Sequence, residues 1–182
     1  MSVDGYIGGP DGELDWMQWN WDDELVAYVN EITKLVDCIV LGRKLAQVFI
    51  PHWAAVAKDV NHAEYTAGIK FTNTPKVVFT KTLNNSPWEH TNLATGDLVT
   101  EITNLKQQAG NDIIVYGGAA FVSALIKNQL IDEYHLLVDP TALGNGLSIF
   151  SAVDAALSLR LVKSRSFSCG IVVLNYVPKD ND

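Results

Sequence analysis

"IIVYGGAAFVSALIKN", residues 113–128, contains the pattern that decides the fold. Residues 113–116 form an apolar run typical of a buried strand, Gly117 and Gly118 follow, and a helical pattern begins at once. Glycine at this position suits a tight strand-to-helix turn, and it also allows the backbone to come close to a bound group. The stretch therefore predicts a β-strand, a glycine turn and an α-helix in direct succession.

Two other apolar runs end in similar turns, in "IVLGRKL" (residues 39–45) and "VVFTKTL" (residues 77–83). The turn residues are Gly42, Arg43 and Lys44 in the first, and Thr80, Lys81 and Thr82 in the second. Ligands of open α/β sheets collect at the carboxyl ends of the strands, and the N–H groups of a helix N-terminus favour an anion. Each turn alone is also compatible with a tight turn or a solvated surface. Together with Gly117 and Gly118 they predict a site for a phosphate-rich ligand, such as a dinucleotide carrying an extra phosphate.

Apolar strands alternate with helical patterns along the chain, which predicts one α/β domain over residues 1–178 and a polar tail over residues 179–182. Because the strands are apolar throughout, we expect a single, mostly parallel central sheet flanked by helices. Two late strands near residues 157–166 and 168–177 are expected to close it as an antiparallel hairpin. The helix that begins with "RKLAQVF" is expected to stop at Pro51.

The bulk composition narrows the class of protein. The 182 residues are 48% hydrophobic and 19% charged, with a formal net charge of −8, which argues against a nucleic-acid-binding protein. Cys38 and Cys169 lie in apolar runs without metal-ligand spacing, so we expect free thiols and no metal site. No apolar run is long enough to span a membrane, and no signal segment is evident. The expectation is a cytoplasmic protein that binds a small molecule and neither nucleic acid nor membrane.

Three longer stretches carry a resemblance to a known family: "SVDGYIGGPDGELDW" (residues 2–16), "VLGRKL" (residues 40–45) and the run over residues 116–150. With them the chain resembles the dihydrofolate reductase fold. More closely, it resembles stand-alone relatives of the reductase domain of the bacterial riboflavin-biosynthesis deaminase/reductase. This resemblance covers nearly the whole chain. It implies an NADPH-dependent reductase, similar to 5-amino-6-(5-phosphoribosylamino)uracil reductase or to dihydrofolate reductase, and a homodimer.

The resemblance also implies which residues contact NADPH. They are Gly42, Arg43 and Lys44 at the phosphates; Thr80, Lys81 and Thr82 near the adenosine ribose phosphate; Gly117, Gly118, Ala119 and Ala120 at the pyrophosphate; and Ile7 and Gly8 over the nicotinamide. The chain departs from the family at Leu45, where a Thr is usual, so one phosphate hydroxyl is missing. The chain also starts at Met1, within what is the first strand in related sequences, so either this start is truncated or the strand is short. Both departures are expected to weaken cofactor binding.

Four residues are candidates for catalysis and substrate binding. Asp22 lies near the position of the acidic residue of dihydrofolate reductases, so it is either a proton donor or a plain helix N-cap. Asp4 either orients the substrate or holds its loop by a turn bond. Trp16 and Trp21, with Trp19 between them, either line a pocket for a planar heterocycle or anchor a loop.

Three functions follow from these residues. The first is an NADPH-dependent reductase of a pterin- or pyrimidine-like heterocycle or of a small carbonyl or imine substrate. The second is a true dihydrofolate reductase, for which Asp22 is the test residue. The third is a nucleotide-binding protein without turnover, acting as a sensor or scaffold. The zinc deaminase signature, H-x-E with P-C-x-x-C, does not occur in the sequence.

Overall fold

The computed structural model describes residues 1–179, so residues 180–182 of the predicted polar tail lie outside the described residues. The helices are α1 (Asp23–Ile32), α2 (Arg43–Val56), α3 (Tyr65–Asn73), α4 (Leu98–Lys106) and α5 (Ala119–Lys127). The strands are β1 (Val36–Gly42), β2 (Lys76–Phe79), β3 (Thr91–Ala94), β4 (Asp112–Val115), β5 (Tyr134–Val138), β6 (Leu159–Ser166) and β7 (Val172–Pro178). The chain divides into two compact units: Leu35–Phe121, and Met1–Lys34 with Val122–Asp182.

The unit Leu35–Phe121 is built on a four-stranded parallel sheet in the order β3-β2-β1-β4. Ile39, Val40 and Leu41 of β1 are buried, as expected for a strand covered on both faces. Ile39 and Leu41 share one hydrophobic cluster with Ala46 and Ile50 of α2. The strand-to-helix pattern read from the sequence is therefore confirmed in this unit.

Helix α2 runs through Pro51, so the expectation that this proline ends the helix is wrong. Proline removes one backbone N–H and crowds the carbonyl four residues earlier, that of Gln47. Gln47 and Pro51 are both on the exposed face of α2, where the Gln47 carbonyl can be hydrated. On the inner face, Ile50 and Val56 are buried, and their packing holds the helix together past the proline.

Helix α3 packs closely on α2 and was not recognised in the sequence. Gly68 is what permits this approach: a Cβ at this position would lie 2.7 Å from Cγ1 of Val56 and 2.8 Å from the backbone nitrogen of Ala57. Aromatic rings complete the contact, with the ring centroids of Trp53 and Phe71 4.5 Å apart. A weakly patterned segment becomes helical here because α2 provides its apolar partner.

The other unit contains an antiparallel sheet in the order β5-β7-β6. The late hairpin expected from the sequence is formed by β6 and β7, and β5 adds to the free side of β7. Leu25 and Tyr28 of α1 pack on this sheet in one buried cluster with Phe167, Ile171 and Val173. The α/β fold class is confirmed.

The strands divide between two sheets rather than the single sheet expected. The segment predicted as the first strand supplies only isolated bridges, one from Ser2 to Asp139 and one from Gly8 to Leu147. A tight turn follows Ser2 at once, since Gly5 donates to the Ser2 carbonyl at 3.1 Å and has a positive φ of 92°. This turn ends the extended conformation after one paired residue.

Candidate functional site

The parallel sheet brings the three predicted turns to one edge. Gly42 pairs with Phe79, so the β1–α2 and β2 turns emerge side by side, and the β4–α5 turn follows on the other side of β1. Neighbouring strands are about 4.8 Å apart. The turns at Gly42, Thr80 and Gly117 therefore line one edge of the sheet over about 10 Å, within reach of a single extended ligand.

At the first turn, α2 begins directly after the strand. Gly42 is the N-cap residue, no described side chain caps this helix end, and its first turn contains no acidic residue. A Cβ on Gly42 would lie 3.0 Å from Cβ of Phe121, so glycine is needed for the close packing of α2 and α5. The N–H groups of this turn, flanked by Arg43 and Lys44, form a positive helix end.

The side chains around this helix end differ in what they contact. The guanidinium of Arg43 donates to Oε1 of Gln47 at 3.2 Å, one turn along the same helix, and Lys44 is exposed. Leu45, where the resemblance led us to expect a Thr, places its Cδ2 within 3.6 Å of where a Cβ on Gly117 would be. An apolar methyl therefore occupies the space between the first and third turns.

Gly117 and Gly118 have positive φ angles of 145° and 44°. These conformations are unfavourable for residues with a Cβ, so the backbone conformation alone is a reason for glycine at both positions. A Cβ on Gly118 would nevertheless meet no described atom within 4 Å. Ala119 and Ala120 form the first turn of α5, so open space lies beside a helix N-terminus.

At the second turn, Thr80 and Lys81 hold the backbone in shape. Oγ1 of the buried Thr80 accepts from the backbone N–H groups of Thr82 and Leu83, both at 3.1 Å. The ammonium of Lys81 donates to two carbonyls of the turn after β3, at 3.1 and 2.8 Å. Thr82 is exposed.

The turn after β3, which contains Thr95 and Gly96, was missed in the sequence. Strand β3 is only four residues long, "TNLA", and has one large apolar residue, so its pattern is weak. Its carboxyl end joins the same edge, beside β2. Asp97 follows and caps α4 by accepting from the Thr100 amide at 3.0 Å.

In the other unit, Asp4 holds two loops together. Its carboxylate accepts from Oγ of Ser2 at 2.6 Å and from the backbone N–H groups of Leu143 and Gly144, the latter at 2.6 Å. These bonds, the Ser2 hydroxyl first, lower the pKa of Asp4 to about 2. The geometry gives Asp4 the loop-holding role; its contact with substrate stays a prediction.

Ile7 and Gly8 form a short antiparallel contact with Leu147. The amide of Ile7 donates to the Leu147 carbonyl at 2.8 Å, and the Leu147 amide donates to Gly8 at 2.9 Å. A Cβ on Gly146 would lie 2.3 Å from the Gly8 carbonyl oxygen, so the backbones of these two segments are in direct contact at Gly146. The segment expected over the nicotinamide is thus fixed by backbone pairing.

The tryptophans of the preceding loop have separate neighbours. Trp16 donates through Nε1 to the Glu13 carbonyl at 3.0 Å. Trp21 stacks on Trp19, with ring centroids 6.4 Å apart, and packs against the α1 cluster that contains Leu25. Trp21 therefore anchors the loop, and a substrate contact by Trp16 or Trp21 stays a prediction.

Asp22 is the N-cap of α1. Its Oδ1 accepts from the Leu25 amide at 2.8 Å, and its Oδ2 accepts from Oγ of Ser168 at 2.7 Å and from the Cys169 amide at 2.9 Å. These bonds, the Leu25 amide first, lower the pKa of Asp22 to about 2. Both oxygens are engaged, and a catalytic role for Asp22 stays a prediction.

A third carboxylate, Asp139, was not singled out in the sequence. It follows β5, is 3% exposed, and accepts from the Gln18 amide through Oδ2 at 2.9 Å. Its Oδ1 has no hydrogen-bond partner among the described residues. The nearby α-ammonium of Met1 donates to the Leu137 carbonyl. Burial lowers the pKa of this ammonium, and the charge of Asp139 opposes that shift.

Comparison with known proteins identifies the family. The family of the RibD C-terminal domain matches residues 1–173. The chain belongs to this family. Among relatives of this RibD C-terminal domain, the uncharacterized protein YyaP of Bacillus subtilis (strain 168) is 29% identical over 177 residues, which cover 97% of this chain and 90% of YyaP.

Solved structures place this RibD C-terminal domain in the dihydrofolate reductase-like fold. A proposed riboflavin biosynthesis protein of Shewanella sp. PV-4 matches with a TM-score of 0.72 and 26% identity, covering 99% of this chain and 96% of that one. Dihydrofolate reductase of Enterococcus faecalis, solved with NADP(H), matches with a TM-score of 0.62 and 16% identity, covering 99% and 93%. The resemblance and the fold expected from the sequence are confirmed.

Neither metal chemistry nor a membrane span is indicated by the part of the RibD C-terminal domain that the structure describes. Within residues 1–179 no three His, Cys, Asp or Glu side chains group in a way that could hold a metal ion. Within the same residues no helix has the length and apolar character needed to cross a bilayer.

Proposed function

We propose that this protein is an NADPH-dependent reductase that transfers a hydride to a small pterin- or pyrimidine-like heterocycle, or to a carbonyl or imine substrate. Membership of the RibD C-terminal domain family and the dihydrofolate reductase-like fold support a reductase of the riboflavin-pathway type. One observation carries the cofactor assignment: the three turns predicted to bind phosphate lie on one edge of the parallel sheet.

The helix ends at this edge fit the diphosphate of a dinucleotide. α2 presents N–H groups that no described side chain caps, with Arg43 and Lys44 beside them. α5 begins beside the open space at Gly118. A phosphate at these ends gains the helix dipole and charge-assisted hydrogen bonds. The hydrogen bond from Arg43 to Gln47 is exposed, and its acceptor is an uncharged amide oxygen. A phosphate forms a stronger, charge-assisted bond, so it can displace Gln47 from the guanidinium.

Lys81 is the residue that we propose discriminates NADPH from NADH. Its ammonium has three donors, and two already point at the carbonyls of Thr95 and Gly96. These bonds fix the ammonium at the turn after β3, and Thr82, the next residue in the chain, is exposed. A positioned cation and a hydroxyl suit the additional phosphate on the adenosine ribose, which NADH lacks.

Bound nicotinamide supplies the hydride, and the protein's residues supply orientation and a dry surface. Ile7 and Gly8 are pinned by Leu147, so they offer a fixed backbone wall to a flat ring. Asp4 and Asp22, with pKa values of about 2, carry no proton at neutral pH. We therefore propose that they fix their loops, and that the proton which accompanies the hydride comes from solvent or from the substrate.

Parallel titrations of NADPH and NADH, followed by tryptophan fluorescence, test the cofactor assignment. Arg43→Ala should weaken both nucleotides by about 10- to 100-fold, because each loses a charge-assisted bond. Lys81→Ala should weaken NADPH to a similar extent and leave NADH nearly unchanged. Lys58→Ala, an exposed lysine elsewhere in the same unit, is the matched control and should change neither. Failure of the wild-type protein to bind either nucleotide would refute the proposed function.

A nucleotide-binding protein without turnover is a second candidate. It is favoured by Asp4 and Asp22, since every oxygen of these two predicted catalytic carboxylates is already hydrogen-bonded. NADPH oxidation in the presence of dihydrofolate and of aminouracil substrates separates the candidates. Binding without oxidation supports the second. Oxidation with dihydrofolate that is lost on Asp22→Asn would instead indicate a true dihydrofolate reductase.

A further inference from the structure

Residues 1–33 carry charge of almost one sign. They contain eight Asp or Glu residues and no Lys, Arg or His, in a chain whose formal net charge is −8. The α-ammonium of Met1 is the one positive group among them, and it donates to the Leu137 carbonyl. Asp4 and Asp22, with pKa values of about 2, stay ionised when another anion approaches. This acidic segment therefore sets up a negative potential around the loop that it forms.

Glu13 brings this charge to the backbone wall proposed to face the nicotinamide. A Cβ on Gly9 would lie 2.8 Å from Cδ of Glu13, so the carboxylate packs directly on the residue that follows Gly8. The Asp11 amide donates to Oε2 of Glu13 at 2.9 Å, and the Gly9 amide donates to the Glu13 carbonyl at 2.9 Å. These bonds give an exposed negative group a defined position beside the wall.

Three of the cations in the same unit already have partners. The guanidinium of Arg165 donates to Oε2 of Glu24 at 2.7 Å, and the ammonium of Lys127 lies 2.8 Å from Oδ2 of Asp154. The ammonium of Lys163 lies over an aromatic ring of α1, 5.8 Å from the ring centroid. None of these three contacts involves the loop that contains Glu13.

The other cations of this unit lie away from that loop. Arg160 and Lys179 are at the end of the antiparallel sheet where β5 begins and β7 ends. The loop meets the opposite end of β5, through the bond from Gln18 to Asp139, and a strand of this length spans about 15 Å. Lys34 follows the C-terminal end of α1, whereas the loop precedes its N-terminal end, a helix length of about 15 Å.

A phosphate on the substrate therefore has no counter-charge beside the wall among the described residues of this unit. The cations of the cofactor edge, Arg43, Lys44 and Lys81, are assigned in the proposed function to the phosphates of NADPH. Juxtaposed like charges are unfavourable, and a phosphate that leaves water without a cationic partner loses its hydration.

We propose that this protein reduces a ribosylaminouracil-like heterocycle without a phosphate group and rejects the phosphorylated counterpart, with Glu13 as the residue that sets this preference. The inference rests on the proposed function, because only a substrate that accepts a hydride has to reach the wall at Gly8. It names a narrower class of substrate: an uncharged or cationic ring compound.

Two compounds that differ only in the phosphate test this preference: 5-amino-6-(5-phosphoribosylamino)uracil and its dephosphorylated form. NADPH oxidation is followed by absorbance with each compound, and binding of each to the NADP⁺-loaded protein is measured by calorimetry. We expect kcat/KM to be at least about tenfold higher for the dephosphorylated compound. The ratio should shrink between about 0.01 and about 1 M salt, because the Debye length falls from about 30 to about 3 Å.

Glu13→Gln removes the charge and keeps the shape, since the amide oxygen can still accept from Asp11. The preference for the dephosphorylated compound should fall at least about threefold in this variant. Glu31→Gln, which removes an exposed charge from the last turn of α1, is the matched control and should keep the wild-type ratio.

Equal or better use of the phosphorylated compound by the wild-type protein overturns the inference, as does binding of neither compound. An unchanged ratio in folded Glu13→Gln overturns the role of Glu13, and a ratio that does not respond to salt overturns its electrostatic cause. NADPH is titrated into the same samples. Loss of NADPH binding in wild type would refute the proposed function, whereas the ratio of the two compounds judges the substrate class with NADPH bound.

Discussion

Gly118→Ala separates two reasons for the glycine pair, the backbone conformation and the approach of a ligand. Gly118 has a φ of 44°, and a Cβ on it would meet no described atom within 4 Å. The substitution therefore causes no clash with the protein's described residues, and its cost is that of a left-handed conformation, about 1–2 kcal/mol. Urea denaturation should show this loss as a lower midpoint with an unchanged slope.

The matched control is Gly144→Ala in the other unit. Gly144 also has a positive φ, 74°, and also has open space around a Cβ, so its substitution should cost a similar amount. NADPH titration then distinguishes the two variants. Gly118→Ala should bind at least about tenfold more weakly, because the methyl group takes the space of a phosphate and displaces its hydrogen bonds. Gly144→Ala should bind normally. If folded Gly118→Ala binds NADPH as tightly as wild type, a phosphate does not approach Gly118, and the glycine is needed only for its backbone conformation.

Two further predictions concern stability. Gly68→Ala should lower the free energy of unfolding by up to about 2 kcal/mol, because overpacking against Val56 and the backbone of Ala57, about 1–3 kcal/mol, exceeds the gain of about 1 kcal/mol in helix propensity. Thr66→Ala on the exposed side of α3 is the control, and stabilisation by Gly68→Ala would contradict the close helix contact. Asp22→Asn should make the free energy of unfolding depend less on pH under acidic conditions. The pKa of Asp22 is about 2 in the folded protein and near 3.8 in the unfolded chain. Ionised Asp22 therefore stabilises the fold above about pH 3.8, and this stabilisation is lost as the pH falls toward 2. Between about pH 4 and about pH 2 the urea midpoint should therefore fall less in Asp22→Asn than in wild type. An equal fall in both proteins would contradict this role of Asp22.

The sequence predicted that three turns lie at one edge of the parallel sheet, because the backbone of such turns restricts which residues can occupy them. The turn at Gly117 needs a positive φ, which few residues other than glycine adopt, and a buried parallel strand such as β1 is apolar throughout. The N-cap at Asp22 was one of the two roles predicted for this residue, since a side-chain acceptor directly before a helical pattern favours a cap. Each of these features is decided by a few neighbouring residues.

Features that depend on distant partners were not predictable. Helix α2 continues past Pro51 because its inner face is buried, and α3 forms because Gly68 lets it pack on α2. Strand β3 is defined by its pairing with β2 more than by its own four residues. In all three cases the tertiary contact outweighs the local pattern.

The acidic residues show the same division in chemical terms. Asp4 and Asp22 attracted attention because they lie in recognisable segments, and the structure fills their oxygens with hydroxyl and backbone donors. An oxygen that the described residues leave without a hydrogen-bond donor, such as Oδ1 of Asp139, is visible only in the folded structure. No sequence pattern records an unmade bond, since it depends on every neighbour in the fold. The turns at the carboxyl edge of the parallel sheet can therefore be predicted from short stretches of sequence, whereas an acceptor that stays free can be found only after the donors around each carboxylate have been counted.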